Sequence, residues 1–203
     1  VSDGLIDDFE LDPLGKNIVL RGEKFVVFLN RFGDLEWDYN FLEYIIDMYY
    51  TTGGAFLIST TNQIYSLSSE NEFDKILEIP GQVKTFFSDD GGISVNDKNL
   101  ISFSLTGHHI WQKDLADVRR IRYSNDSLKN YYVEDNKKLV CQDRNGDELW
   151  TYSSADDLQN FNIVNSGMMT GLYSNNYFHV LDENGKQAWS YYARERVVDF
   201  SFS

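Results

Sequence analysis

Short runs in which apolar and polar residues alternate recur along this chain, and turn-forming residues separate one run from the next. Alternation with a period of two predicts a β-strand with one buried face, whereas an amphipathic helix has a period of 3.6 residues. The clearest examples are Leu139–Tyr152 and Phe178–Tyr191, where two such runs flank the sequence Asp-x-Asn-Gly. Because Asn-Gly supplies the positive-φ residues of a tight turn, each segment predicts a β-hairpin.

The hairpins recur at a nearly constant spacing. Four tryptophans lie 74, 39 and 39 residues apart, and 74 is two steps of 37: Trp37, Trp111, Trp150 and Trp189. Phe73 stands where a further tryptophan is expected. Each tryptophan has a glycine four residues before it: Gly33, Gly107, Gly146 and Gly185. Self-similarity at such a period indicates one structural unit copied along the chain. These repeated aromatic and glycine residues are therefore predicted to be structural.

Two further strand-like runs precede each hairpin, as Leu5–Leu11 and Asn17–Arg21 do in the first unit. Four short strands in each unit of about 38 residues is the arrangement of a β-propeller, whose four-stranded blades cover one another's faces. We therefore predict an all-β fold, a β-propeller of four-stranded antiparallel blades. Its five repeats and the start of a sixth are predicted at 1–41, 42–80, 81–116, 117–155, 156–195 and 196–203.

The segment 196–203 resembles the first strand of the first unit and is surplus to five complete blades. Two explanations remain open. The chain is part of a larger propeller with further blades, which we favour, or the segment pairs at the seam of a five-bladed ring and displaces Leu5–Leu11. An open stack would expose sheet edges and apolar faces, which predicts self-association.

The Gly-x-x-x-Trp hairpins resemble the repeats of the pyrroloquinoline-quinone-like (PQQ-like) β-propeller family, a relative of WD-repeat propellers, over essentially the whole chain. Quinoprotein dehydrogenases of that family carry Asp four residues before the glycine and usually Thr directly before it. Here Asp143 and Asp182 stand three residues before it, and Asn145 and Asn184 take the threonine position. Those enzymes also use adjacent cysteines, whereas this chain has only Cys141. The resemblance therefore implies a member without a quinone or another cofactor, acting in assembly, sensing or adhesion.

Composition narrows the classes of partner. Acidic residues outnumber basic ones by 32 to 18, and the net charge of -14 at pH 7 opposes a phosphate backbone, so no nucleic-acid partner is predicted. No apolar run approaches the roughly 18 residues of a transmembrane helix. A single cysteine excludes an internal disulfide. The compartment stays open, although a chain that begins at Val1 with one cysteine favours an extracytoplasmic or cell-surface location.

No group of catalytic or metal-ligating residues stands out. His108 and His109 lie in a predicted turn and diverge, and His179 is alone on its strand, so no zinc site is predicted. Some acidic residues at the ends of inner strands are candidates for a glycosidase pair, although a solvated acidic surface is the simpler interpretation: Asp7, Asp8, Asp47, Asp89, Asp90 and Asp199. No catalytic residue, metal ligand or cofactor is therefore assigned.

The one basic cluster offers a candidate partner contact. Arg120 and Arg122 share a face of their predicted strand and could contact an anion or an acidic partner.

Three functions stay open. The favoured one is a non-catalytic platform for protein interaction, assembly or a surface, with a protein partner of unknown identity, because rigid blades present variable loops. The second is a carbohydrate-binding (lectin-like) or glycosidase propeller. The third is a sensor of a small molecule or quinone.

Overall fold

The computed structural model describes residues 5–68, 71–96, 99–114, 118–164, 167–195, 197 and 200. They form twenty β-strands in five four-stranded antiparallel sheets, and no α-helix occurs among the residues just given. The strands of each sheet are neighbours in the order in which the chain presents them. The prediction of an all-β fold with five four-stranded units is confirmed. Within the described part of the chain, no helix is long and apolar enough to cross a membrane.

The sheets are numbered as blades 1 to 5 in chain order. Blade 1 contains β1 (Asp8–Leu11), β2 (Asn17–Arg21), β3 (Phe25–Asn30) and β4 (Leu35–Asn40). Blade 2 contains β5 (Ile45–Tyr50), β6 (Phe56–Thr60), β7 (Gln63–Leu67) and β8 (Phe73–Glu78). Blade 3 contains β9 (Gln82–Ser88), β10 (Gly91–Asn96), β11 (Asn99–Ser104) and β12 (His109–Asp114). Blade 4 contains β13 (Val118–Tyr123), β14 (Lys129–Glu134), β15 (Lys138–Asp143) and β16 (Glu148–Ser153). Blade 5 contains β17 (Leu158–Val164), β18 (Met169–Ser174), β19 (Tyr177–Asp182) and β20 (Gln187–Tyr192).

The turn between the third and fourth strands is held closed by the side chain of its first residue. In blade 4, Asp143 Oδ1 accepts hydrogen bonds from the backbone N–H groups two and four residues later, both at 2.9 Å. Gly146 donates its N–H to the Asp143 carbonyl at 3.1 Å and adopts a φ of +88°, which favours glycine. Asp182 in blade 5 and Asn30 in blade 1 make the same side-chain bonds. The side chain that opens the turn therefore specifies its geometry.

The chain divides into two compact units, Val1–Asp97 with Ile101–Ile110 and Lys98–Leu100 with Trp111–Ser203. Each unit has a buried core that draws on two consecutive blades. In the first unit this core contains Val19, Val26, Phe28, Phe41, Ile45, Met48, Tyr50, Phe56 and Ile58. In the second unit it contains Tyr131, Val133, Leu139, Cys141, Leu158, Phe161, Leu172 and Leu181. Neighbouring blades therefore bury the sides that face each other.

The first strand is the main difference from the predicted strand positions. The run Asn17–Arg21 is β2 as predicted, but the run Leu5–Leu11 forms a strand only from Asp8, and Leu5 is 86% exposed. Of the segment 196–203, only Val197 and Phe200 are among the described residues. The boundaries of the repeats and the sixth unit therefore stay predictions.

Candidate functional site

Trp150 joins blade 4 to the turn between β19 and β20 of blade 5. Its indole Nε1–H donates to the carbonyl of Glu183 at 2.9 Å. A Cβ placed on Gly185 would lie 2.4 Å from the indole ring of Trp150, so glycine alone lets the turn approach so closely. The ring of Tyr131 meets the same indole edge-on, with centroids 5.8 Å apart. We call this contact between a tryptophan and the glycine turn of the next blade the interlock.

Trp111 forms a second interlock of the same kind. Its Nε1–H donates to the carbonyl of Arg144 at 3.2 Å, and a Cβ on Gly146 would lie 2.7 Å from its ring. The accepting residue stands two positions before the glycine, as Glu183 stands two before Gly185. Trp111 and Trp150 therefore make the same contact with the turn of the blade that follows them.

In blade 2 the structure puts Ile76, rather than Phe73, beneath the next glycine turn. A Cβ on Gly107 would lie 2.0 Å from the carbonyl oxygen of Ile76. Phe73 instead packs with blade 1, where its ring centroid is 6.0 Å from that of Trp37. The two blades differ here in the position of a β-bulge, a point where one residue of a strand has no partner on the neighbouring strand. In blade 2 the unpaired residue of β8 is Ile76, whereas in blade 4 the unpaired residue of β16 is Leu149. A bulge changes which side chains face each side of a sheet, and spacing along the sequence does not reveal it.

Trp37, Trp189 and Gly33 complete the placement of the predicted repeat residues. Trp37 stacks on Phe28 at 3.9 Å with nearly parallel rings, and it packs against the core of blades 1 and 2. Trp189 is 51% exposed and contacts Phe178 of its own blade, with centroids 5.5 Å apart. Around Gly33, no described atom lies within 4 Å of the position of a Cβ. These last two residues carry the motif without an interlock.

A cavity of about 330 Å³ lies beside the fourth strand of blade 4 and the middle strands of blade 5. We call it the Tyr177 groove. It is lined by Tyr152, Ser154, Ala155, Asp156, Ser174, Tyr177 and His179. Tyr177 and His179 are two residues apart on β19, so their side chains share one face of the sheet, and their rings stack 5.9 Å apart. The groove is not evident from the sequence because its residues come from separate segments.

Hydrogen bonds fix the inner wall of the Tyr177 groove. Gln187 Oε1 accepts from the hydroxyl of Tyr152 at 3.2 Å and from His179 Nδ1 at 3.0 Å. Burial raises the pKa of Tyr152 above its ordinary value, so the hydroxyl remains a hydrogen-bond donor at neutral pH and above. The groove thus presents aromatic faces beside the exposed carboxylate of Asp156, and such a set suits a cationic side chain or a sugar ring.

Two of the predicted acidic candidates, Asp8 and Asp47, lie near Arg21 in blades 1 and 2. Arg21 forms an ion pair with Asp8 at 3.5 Å and donates to the carbonyl of Ile46 at 3.0 Å. Burial raises the pKa of Asp47 to about 6, against the opposing effects of the Met48 N–H and of Arg21. No described group of three or more His, Cys, Asp or Glu side chains is arranged to hold a metal ion.

Asp89, another of the acidic candidates, stabilises a turn. Its carboxylate accepts from the backbone N–H and the hydroxyl of Thr52, both at 2.7 Å, and from the hydroxyl of Tyr49 at 3.2 Å. Burial alone would raise the pKa of Asp89, but these bonds hold it below its usual value. The carboxylate therefore fixes the turn between β5 and β6. Asp199, another candidate, lies outside the described residues.

The predicted basic contact lies against blade 5. Arg120 donates to the carbonyl of Leu158 at 3.2 Å, and the guanidinium of Arg122 lies 5.9 Å from the ring centroid of Phe161. Both side chains therefore make contacts within the second unit, and their contact with an anion or partner stays a prediction.

The remaining candidate residues, two histidines and the cysteine, do not line the Tyr177 groove. His108 is exposed in the turn before β12, and His109 is exposed as the first residue of that strand. Cys141 is a buried core residue, and burial raises the pKa of its thiol to about 11, which keeps it unreactive at neutral pH.

Comparison with known proteins supports the fold. No family model matches the chain. No curated protein matches it either. Among solved structures, the β-propeller domain of Cps50 (Swd1) from Myceliophteria thermophila is similar, with 8% sequence identity and a TM-score of 0.64. The match covers 90% of this chain and 66% of that one. The fold is therefore a WD-like β-propeller of four-stranded blades, whereas membership of the PQQ-like family stays an expectation.

Proposed function

We propose that the chain is a non-catalytic β-propeller that binds a protein partner, and that the Tyr177 groove receives a basic side chain of that partner. The groove itself carries the proposal. Three aromatic rings, those of Tyr152, Tyr177 and His179, line this cavity together with the exposed carboxylate of Asp156. The chain as a whole carries a net charge of -14. A cation over an aromatic face gains about 0.5–2 kcal/mol, and the acidic field favours the approach of a basic partner.

The coarse function agrees with the fold. Propeller blades hold short loops rigidly, and binding residues concentrate on such loops. Among the acidic candidates, Asp8 is engaged in an ion pair and Asp89 in turn hydrogen bonds, which favours a binding role over catalysis at these two positions.

The test uses an arginine-containing peptide and the same peptide with norleucine in place of arginine. Two-dimensional NMR of the whole chain should show perturbation of the Tyr177 and His179 resonances by the arginine peptide alone, and added salt should weaken it. Tyr177→Ser and Asp156→Asn should each abolish the perturbation. Tyr44→Ser removes a similarly exposed tyrosine elsewhere and should leave it unchanged. An arginine peptide that perturbs no groove resonance, or turnover of a substrate by the purified chain, would contradict the proposal.

The same groove favours carbohydrate binding as the second candidate. Sugars stack on aromatic rings and bond to carboxylates and hydroxyls, and Asp156, Ser154 and Ser174 supply these groups. A panel of mono- and oligosaccharides in the same NMR experiment separates the two functions. Perturbation of Tyr177 by a saccharide, without any by the arginine peptide, would favour the lectin-like function.

A further inference from the structure

The side of blade 5 opposite the Tyr177 groove exposes a second set of aromatic side chains, independent of that groove. Trp189 pairs with Val180, and His179 is the neighbour of Val180, so Trp189 and His179 lie on opposite faces of the sheet. We call the set of Tyr173, Phe178, Trp189 and Tyr191 the Trp189 face. Trp189 is 51% and Tyr191 is 63% exposed.

The Trp189 face has the same arrangement of paired side chains as the face of blade 4 that blade 5 covers. Trp150 pairs with Cys141 as Trp189 pairs with Val180, and Tyr152 pairs with Leu139 as Tyr191 pairs with Phe178. On blade 4 these side chains pack against Leu158 and Phe161 of the next blade. The Trp189 face therefore has the residues of an interblade contact. The contact between blades 4 and 5 shows which kind of surface packs against such a face.

Blade 1 exposes the complementary half. The Gly33 turn repeats the hydrogen bonds of the Gly146 turn, and nothing described lies within 4 Å of the Gly33 Cβ position. Phe9 stands three residues before the β1–β2 turn, as Met48 stands three before the β5–β6 turn. Met48 is buried in the core of blades 1 and 2, whereas Phe9 is 59% exposed, and Ile6 three residues earlier is 49% exposed.

Residues near the end of the chain occupy the inner part of the Trp189 face. Val197 N–H donates to the carbonyl of Asn175 at 3.1 Å, which repeats the bond from Leu158 N–H to the carbonyl of Asn136. Phe200 packs on Phe178 and Tyr173, with centroids 4.7 and 5.8 Å apart, at the place that Phe161 takes on blade 4. Val197 and Phe200 thus correspond in position to Leu158 and Phe161, while Trp189 stays 51% exposed.

We propose that a second copy of this chain docks its blade 1 on the Trp189 face. Its Gly33 turn lies over the indole ring, and Trp189 Nε1–H donates to the carbonyl of Arg31, which stands two residues before Gly33 as Arg144 stands two before Gly146. The contact continues the interlock already formed between blades 3 and 4 and between blades 4 and 5. The docked Ile6 and Phe9 take the place of Val197 and Phe200, so the end of the chain competes with the second copy.

The proposal is tested by sedimentation velocity and native mass spectrometry of the whole chain over a concentration series. We expect concentration-dependent association that strengthens with salt, because each copy carries a charge of -14 and salt screens the repulsion. Salt weakens the arginine-peptide binding proposed for the Tyr177 groove, so the two proposals fail separately. Removal of residues 196–203 should tighten the association, since it frees the inner part of the face.

Two variants each remove one half of the contact. Trp189→Ser removes the indole, and Gly33→Asn keeps the turn, since Asn adopts positive φ at Asn71, Asn136 and Asn175 of this chain, but it places a side chain against the ring. Each variant alone should lose the association. Gly81→Asn puts the same change at another open glycine with positive φ and should associate as the natural chain does.

A mixture of the two variants is the decisive experiment. The Gly33→Asn chain retains Trp189 and the Trp189→Ser chain retains the Gly33 turn, so a 1:1 mixture should form a heterodimer and stop there. A natural chain that stays monomeric at every concentration would overturn the proposal. A mixture that associates no more than its separate components would also overturn it, because unspecific adhesion of exposed aromatics shows no such complementation.

Discussion

The outer hairpins of blades 4 and 5 share one sequence pattern and one turn, yet their tryptophans have different surroundings. Trp150 donates its indole N–H to the carbonyl of Glu183 and lies beneath Gly185, whereas Trp189 is 51% exposed. The turns themselves are alike, since Asp143 and Asp182 accept the same two backbone hydrogen bonds.

The comparison shows that the hairpin and its interblade contact are separate properties of the repeat. Local turn chemistry forms the hairpin in either place. Burial of the tryptophan needs the glycine turn of a following blade. In a repeat protein, stability is a sum of terms within each repeat and terms between neighbours. The main difference between Trp150 and Trp189 is of the second kind.

The largest expected effect is a difference in the free energy of unfolding between alanine variants of Gly185 and Gly33. Gly185→Ala should lower the free energy of unfolding by about 2–4 kcal/mol, since the Cβ adds a clash with Trp150 to the cost of a positive φ. Gly33→Ala has only the cost of its φ, about 1–2 kcal/mol. Urea unfolding of dilute protein, followed by far-ultraviolet circular dichroism, measures both. Equal losses at the two positions would contradict the interlock.

A smaller difference is expected between the tryptophans. Trp150→Ala removes a packed ring and leaves the Glu183 carbonyl without its donor, so the loss should be about 2–3 kcal/mol. Trp189→Ala should cost less than about 1 kcal/mol in dilute protein, because half of that side chain is already in water. The same unfolding experiment applies. A larger loss at Trp189 than at Trp150 would show that the exposed indole has a partner at low concentration.

The smallest expected effect is a loss of stability that is the same in the turns of blades 4 and 5. Asp143→Ala and Asp182→Ala each remove an acceptor for two backbone N–H groups, and each should cost about 1 kcal/mol. Because turn chemistry is local, the two losses should agree within the error of the urea experiment. Clearly unequal losses would mean that the turn also depends on the neighbouring blade.

The fold could be predicted from the sequence because its signals are local. Alternation and turn residues fixed β2 at Asn17–Arg21, and the tryptophan spacing revealed the four-stranded unit. The first strand was predicted too long, since Leu5 and Ile6 have the apolar pattern of an inner strand but are exposed in blade 1. An apolar pattern alone does not tell whether a neighbour is present to bury it.

The candidate sites were less predictable. Tyr152 only marks the end of a predicted hairpin, and His179 is a lone histidine on its predicted strand. The Tyr177 groove forms only where blade 5 packs against blade 4 and places β16 near β18 and β19, which no local pattern encodes. The role of Ile76 was missed for a similar reason, because a β-bulge decides which residue of β8 lies beneath Gly107.

Solvent exchange of the indole N–H protons tests the central claim most directly. In an NMR spectrum of dilute protein, the Nε1–H groups of Trp111 and Trp150 should exchange slowly, because they are bonded to the carbonyls of Arg144 and Glu183. The Nε1–H of Trp189 should exchange fast under the same conditions and slow down at concentrations where copies associate. Protection of Trp189 equal to that of Trp150 in dilute monomer would contradict the account.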